Sequence, residues 1–403
     1  MRYKEYRSSK VYGIKVLPFY LLTFLLFSFT GCIEKYEADI PSDNTGLLVV
    51  EGTIRPGDNT FVLTCSQVVN YSSSPQLVDD ARVAVRGTDG SEFNTKYESG
   101  YYTCKIDTLY SDAQYYLHIE SNGEIYESEP QTPLRTEKIA DVRGVQNTPQ
   151  SDIDILVTPA DPYDSNQPNY YSWTYDETWE VRPEYSSYVY YDVLRKCPVE
   201  APNLYPRRGW KNSKGTTIMV GSSTSYENQH ISLQKIYDIS RKSDKMYYRY
   251  SGLVHQRAIS KAEYEYELAR RQAGSEMGGL FTPQPSALPS NIHCLTSKKH
   301  VIGFVGCSYN ISEYRFFLNE YDYSIIIPVG DDNRLWVENP THEDCCDLLS
   351  QRWVLCEWCD PMNTENGVLI RTAWARDFQV DVRLTGAYDQ EPEYWESKVN
   401  ISY

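Results

Sequence analysis

Apolar positions in this chain mostly alternate with polar ones, so strands are expected to dominate. Residues 47–54 (LLVVEGTI) read as a strand stopped by the turn Arg55-Pro56-Gly57-Asp58-Asn59, and residues 60–66 (TFVLTCS) as the returning arm of a hairpin. Residues 81–86, 101–106 and 113–119 continue the pattern, with turns at Thr88-Asp89-Gly90 and Ser121-Asn122-Gly123. Short strands at this spacing with no helix between them predict an immunoglobulin-like or transthyretin-like β-sandwich over residues 46–131.

Pro130 to Thr136 reads as a linker, and a larger β-rich domain follows over 137–403. Strands are expected at 138–145, 153–158, 246–256, 301–305, 314–318 and 324–329, with a last one near 378–384. Two aromatic stretches, 170–181 and 185–193, read as a long hairpin turned at Arg182-Pro183-Glu184. Residues 197–227, rich in Pro, Gly, Ser and Asn, read as a long loop. One helix is expected over 260–272, with Ser260 as N-cap, Glu263 completing a capping box, and Arg270 and Arg271 in the last turn. Gly278, Gly279 and Phe281, followed by Pro283 and Pro285, predict an ordered structural loop. The fold class is therefore all-β, carrying one helix.

The longest apolar run, Val16 to Phe29, follows a basic segment with Arg2, Lys4, Arg7, Lys10 and Lys15. It is too short for a permanent membrane helix and reads as a signal peptide. Thr30 and Gly31 place small side chains just before Cys32, as a lipoprotein signal peptidase requires, so residues 1–31 are expected to be removed and Cys32 lipidated. Acylated Cys32 would hold the chain on a lipid bilayer, and the acidic segment 32–46 would be a tether. Acids soon after Cys32 (Glu34, Glu37, Asp39) point to the cell surface.

The formal net charge is −16, and the five basic residues and one acid of the leader leave the rest near −20. So acidic a chain repels phosphate backbones, and nucleic acid is excluded as a partner. With 36 Tyr beside 8 Trp and 11 Phe, the aromatic load suits twisted half-exposed strands or a polar binding surface. The stripe Tyr171, Trp173, Tyr175 and Trp179 shares one strand face and is either a ligand or partner platform or core packing.

In an exported chain, Cys294, Cys307, Cys345, Cys346, Cys356 and Cys359 read as disulfide candidates bracing the tail, with connectivity open. A zinc site is disfavoured because adjacent Cys345 and Cys346 rarely reach one metal together. Asp161 to Asn166 has oxygen ligands in a turn but lacks the glycine and distal glutamate of a calcium loop. The six histidines (His118, His230, His255, His293, His300, His342) show no metal spacing, and the nucleophile-elbow, zincin, phosphate-loop and dinucleotide motifs are absent. No enzyme, cofactor or metal is expected.

LLVVEGTI, then VHQRAISKAEYEYELARRQAGSEMGGLFTPQPSALPSNIHC, then VIGFVGCSYNISEYRFFL, then a cysteine cluster and PEYW, resemble the Bacteroidota family catalogued as domain of unknown function 4249. The likeness spans nearly all of the chain after Cys32, and its 254–318 block is the specific part. Here 32 residues separate Cys359 from Pro392-Glu393-Tyr394-Trp395, a departure from the family's compact ending. The resemblance implies a lipid-anchored outer-membrane protein, an accessory partner of a TonB-dependent receptor in solute uptake, and no catalytic residues to carry over. A stand-alone adhesin or scaffold is the alternative, and a metal-dependent hydrolase built on the C-terminal cysteines is a third class.

Overall fold

The first alternating stretches form β1 (Leu47–Ile54) and β2 (Gly57–Ser66), paired antiparallel across the expected turn. Gly57 takes φ +93°, and Asn59 closes the turn by accepting from the Arg55 amide at 2.8 Å and donating to the Arg55 carbonyl at 2.7 Å. Then come β3 (Gln76–Leu77), β4 (Arg82–Gly87), β5 (Glu92–Asn94), β6 (Lys96–Glu98), β7 (Tyr101–Ile106), β8 (Tyr115–Ser121) and β9 (Glu124–Ser128). In this computed structural model residues 47–66, 76–161, 169–226, 229–275, 288–328, 330–359 and 370–395 are described. The expected leader, Cys32, the tether, most of the 161–166 turn, and the loop residues Gly278, Gly279 and Phe281 lie outside the described residues.

The middle of the chain supplies β10 (Ile139–Val145), β11 (Ile153–Pro159), β12 (Tyr170–Val181), β13 (Val189–Asp192), β14 (Cys197–Glu200), β15 (Gly209–Lys214), β16 (Met219–Ser222), β17 (Gln234–Ile239) and β18 (Arg249–Ile259). Helix α1 (Lys261–Ser275) follows, then β19 (Ile292–Cys294), β20 (Val301–Cys307) and β21 (Ser312–Asn319). The tail holds β22 (Leu335–Glu338), α2 (His342–Ser350), β23 (Trp353–Cys359), β24 (Arg371–Arg376) and α3 (Asp377–Val380). The fold is all-β, with three α-helices among the described residues.

Two sheets, β20-β1-β2-β7-β6 and β19-β9-β8-β4-β5, share one apolar core that includes Val50, Phe61, Leu63, Val85, Tyr102 and Leu117. Each takes an edge strand from beyond residue 290: β20 pairs parallel with β1, and β19 antiparallel with β9. This first sandwich thus has two edges covered by late chain, which removes exposed ladder groups that would otherwise invite pairing with another molecule. Gly303 sits opposite Val50 at φ +128°, and a Cβ there would lie 1.9 Å from the Val50 carbonyl oxygen. Only glycine fits.

The second core lies between β10-β11-β17 and β15-β12-β18-β21 and includes Ile155, Val157, Trp173, Ile236, Val254 and Phe316. At the linker, Thr136 and Asn310 bond reciprocally: the Thr136 amide donates to Asn310 Oδ1 at 3.0 Å and Asn310 Nδ2 to the Thr136 carbonyl at 2.9 Å. The N-terminus of α1 shows half of the expected capping box. The Glu263 amide donates to Ser260 Oγ at 3.1 Å, but the Glu263 carboxylate is taken by both terminal nitrogens of Arg257 on β18, Nη1 to Oε2 at 3.1 Å. Gly306 on β20 admits this pair, since a Cβ there would meet Glu263 Oε2 at 2.5 Å. The helix runs past Gln272, so Arg270 is not a last-turn residue and instead pairs with Glu267 at 2.9 Å and Glu51 at 3.2 Å.

Several expectations change. β12 does not form a hairpin with the next strand; it pairs with β15, β16 and β18, while β13 pairs with β14. The stretch read as a long loop contains β14, β15 and β16, because local turn chemistry does not report pairing to a distant strand. Residues 324–328 are not a strand, and 378–384 form α3 and a 3-10 turn, Val382–Thr385.

The disulfide-braced tail is also corrected. Among the described residues Cys294, Cys307, Cys345, Cys346, Cys356 and Cys359 form no disulfide. Cys345 is buried with Leu355 and Trp374, whereas Cys356 packs with Val354, Ala375 and Val380, which alternation places on the other face of the same sheet. Burial pushes both thiols up to about 11. The tail is braced instead by the sheet β22-β24-β23 and by α2, whose Thr341–Asp344 capping box is complete.

Candidate ligand site

Along β12, Tyr171, Trp173, Tyr175 and Trp179 do share one face, and that face is the core. Trp173 is 1% exposed and donates to Gln256 Oε1 at 2.9 Å; Tyr175 stacks on Tyr237 at 3.7 Å between ring centres. Tyr171 donates to Glu137 at 2.7 Å. Rings packed into the core, three of them buried and Tyr175 stacked on Tyr237, cannot present a platform to a ligand or partner, so the contact role is corrected to packing. Within the same stripe Glu177 is buried yet satisfied, accepting from Lys245 Nζ at 2.5 Å and from the Tyr250 hydroxyl at 3.0 Å. Burial pushes the Tyr250 and Tyr237 hydroxyls, bonded to each other at 2.9 Å, well above their ordinary value.

The opposite face of β12 is polar, because the even-numbered residues Thr174, Asp176, Thr178 and Glu180 point away from the core. Register sets Asp176 across from Lys214, and Thr178 across from Asn212, on β15. Asp176, Thr178, Asn212, Lys214 and Arg315, with Tyr394 from the C-terminal segment, line a solvent-open hollow of about 300 Å³. Thr178 Oγ1 donates to Asn212 Oδ1 at 2.9 Å and lies 2.8 Å from the Tyr394 hydroxyl. Arg315 donates to Ser251 Oγ at 3.2 Å and stacks its guanidinium 3.6 Å from the Tyr394 ring centre. His255 braces three strands, with Nε2 3.2 Å from Asp176 and Nδ1 3.1 Å from Glu313.

The C-terminal segment crosses this face as a strap fixed at both ends. The Trp210 and Tyr388 amides each donate to the other residue's carbonyl, at 2.8 and 3.0 Å. Trp395 is 1% exposed and packs edge-on against Trp210 and Phe317, with the Arg249 guanidinium over Phe317 at 4.4 Å. The Tyr394 hydroxyl therefore reaches the hollow from an anchored backbone. Tyr394→Phe should cost about 1 kcal/mol of unfolding free energy, read by chemical denaturation, since one hydrogen bond at a partly buried hydroxyl is lost.

Glu180, whose side chain is 3% exposed, holds the strap's flank through Arg182 at 2.8 Å and Arg208 at 2.9 Å, and Arg208 also reaches Glu391 at 3.4 Å. Burial raises its carboxyl, but the bonds from Arg208 and Arg182 outweigh burial, so it titrates below the usual 4.5. A depressed folded-state pKa adds stability above the unfolded value that is lost as pH falls through the folded one. Unfolding free energy should drop as pH is lowered from about 4.5. Glu180→Gln should cost about 1–3 kcal/mol near neutrality. The same variant should flatten the acid limb; an unchanged pH slope would show that the two arginines do not hold Glu180 ionised.

With Glu177 and Ser213 also in its lining, the hollow is bounded by two cations, two carboxylates, an amide and three hydroxyls, a set suited to a small solute carrying both charge and hydroxyl or amide groups. Among the described residues, no group of three or more His, Cys, Asp or Glu could hold a metal. The cysteines singled out from the sequence are not brought here. Cys307 is buried on β20, where burial pushes its thiol up to about 12. Cys294 stands at the edge of the sandwich beside Ser297 Oγ at 3.1 Å; burial opposes its ionisation, but the Ser297 and Thr296 hydroxyls carry the thiol below its ordinary value. Cys346 lies 3.6 Å from His342 Nε2, and Cys359 is exposed. Sequence reasoning missed Asp176, Thr178, Asn212, Lys214, Arg315 and Tyr394, although the polar alternation of 174, 176, 178 and 180 was a usable signal for the outer face.

No curated protein matches the chain. The description Domain of unknown function (DUF4249) matches residues 33–315, more than two thirds of the sequence and the whole block from Arg257 to Arg315 that joins the two cores. The chain belongs to the family described as Domain of unknown function (DUF4249).

Proposed function

We propose that this chain is a non-catalytic, lipid-anchored outer-membrane protein that acts as accessory partner of a TonB-dependent receptor and captures an external polar solute in the hollow under the strap. The observation that carries the reading is the mixed-charge hollow on the outer face of β12, with Lys214, Arg315 and Asp176 open to solvent. The side chains there are arranged to donate and accept hydrogen bonds rather than to activate a nucleophile: the Thr178 and Tyr394 hydroxyls are engaged with Asn212 and with each other, and His255 is held between two carboxylates. Cys32 and the basic-apolar leader support the anchor.

The test is purification of the tagged protein from detergent-solubilised outer membranes, a salt wash, and mass spectrometry of what remains bound. A stoichiometric TonB-dependent barrel is the expected result. Recovery of the chain alone under repeated mild conditions would overturn the receptor partnership and favour a stand-alone adhesin or scaffold.

A further inference from the structure

The hairpin of β13 and β14 has one face in the protein and one in solvent. Val189 and Tyr191 point inward, and the Tyr191 hydroxyl lies 3.0 Å from His342 Nδ1 on α2. The alternate Tyr188 and Tyr190 are 43% and 37% exposed, and at the tip Val193 and Leu194 are 45% and 94% exposed. A leucine so exposed in a frayed loop would mean little, but this tip is fixed. The Asp192 carboxylate accepts from the Leu194 and Arg195 amides at 2.9 and 3.0 Å, and Lys196 takes φ +55° to close the turn.

Charge runs against the rest of the molecule. In a chain of net charge −16, Arg195 and Lys196 follow the apolar tip directly, and Arg207 lies over the Tyr188 ring at 4.7 Å. The acid within the turn, Asp192, is engaged in holding it and also pairs with Arg195 Nε at 3.5 Å, a contact that leaves the Arg195 side chain 71% exposed. Since Asp192 pairs with Cys197, the turn sets Leu194 level with Arg195 and Val193 level with Lys196, with Tyr190 and Tyr188 farther back, so aliphatic and cationic side chains reach a headgroup–acyl boundary together, as interfacial segments do. A protein partner would have to supply a pocket for a convex tip, whereas a lipid surface yields to one.

We propose that the β13–β14 tip docks into an anionic lipid bilayer, with Val193 and Leu194 entering the headgroup–acyl boundary and Arg195 and Lys196 meeting lipid phosphates. This second membrane contact would orient the protein on the surface independently of any receptor.

The test places the photo-crosslinker benzoylphenylalanine at Leu194 of the full chain, reconstituted in vesicles of phosphatidylethanolamine and phosphatidylglycerol. Tyr321, 90% exposed, serves as the control position. Irradiation should yield lipid adducts at position 194 about tenfold above those at 321. Arg195→Glu with Lys196→Glu, or replacement of phosphatidylglycerol by phosphatidylcholine, should lower the 194 adduct by about fivefold per charge interaction lost. Equal adducts at 194 and 321, or a 194 adduct insensitive to lipid charge, would overturn the proposal; in native membranes, crosslinking of 194 to protein in place of lipid would do so as well.

Discussion

Gly303→Ala is expected to be the most damaging single-methyl change among the described residues, costing at least about 4 kcal/mol of unfolding free energy. The added Cβ would lie 1.9 Å from the Val50 carbonyl oxygen and 3.0 Å from the Val50 nitrogen, both backbone atoms that cannot swing aside as a side chain can. The residue also sits at φ +128°, outside the usual range of alanine. Relief requires parting β1 from β20, and with it the parallel ladder from Leu48 and Val301 to Ile54 and Cys307. Gly57→Ala is the control: its φ is +93° but nothing lies within 4 Å of its Cβ. That variant should cost about 1–2 kcal/mol from backbone strain alone. Denaturant unfolding of both separates strain from collision, and similar losses would mean that β20 does not lie against β1 as described.

Glu263→Ala should cost about 3–5 kcal/mol, because it strands the Arg257 guanidinium between α1 and β20. The two side chains are 16% and 7% exposed for Arg257 and Glu263, so water replaces the lost carboxylate poorly. Burial disfavours the charge on Arg257, yet the Glu263 carboxylate outweighs burial and raises the guanidinium above its ordinary value. The paired replacement Arg257→Met with Glu263→Leu should recover most of the loss, to within about 1 kcal/mol of the parent, since breaking a buried pair is far costlier than replacing it. A loss below about 1 kcal/mol for Glu263→Ala alone would show a solvated pair. The ion pair, Gly303 and Gly306 all fall in the block that carried the family resemblance, which gives that block a structural explanation: it locks the returning chain onto the first sandwich.

Much of the fold was legible. The alternation of 47–54, 101–106 and 170–181 located β1, β7 and β12, and Asn122-Gly123 marked a turn that takes positive φ at both residues, 51° and 77°. Ser260 marked the start of α1. The misreadings arise where a local pattern is open to more than one outcome. Residues 378–384 alternate like a strand but become a short helix and a 3-10 turn, because Val380 and Val382 can be buried from that conformation too. Glu263 looked like a capping residue because a helix N-terminus favours a carboxylate, but Arg257, six positions earlier, competes for it more strongly.

The ligand hollow was less legible. Asp176, Lys214, Arg315 and Tyr394 are far apart in sequence, and no short spacing links them. By itself the sequence determined the strand-rich class, the main turns, the start of the first helix and the shared face of the β12 aromatics, since alternation and turn chemistry are local properties of the chain. Only the tertiary structure decided that late strands close the first sandwich, that Cys345 and Cys356 pack against opposite faces of one sheet, and that the strap sets Tyr394 over Thr178. Those outcomes depend on pairing and packing between segments that are not neighbours in sequence, where burial and backbone hydrogen bonding, rather than local propensity, select the partner.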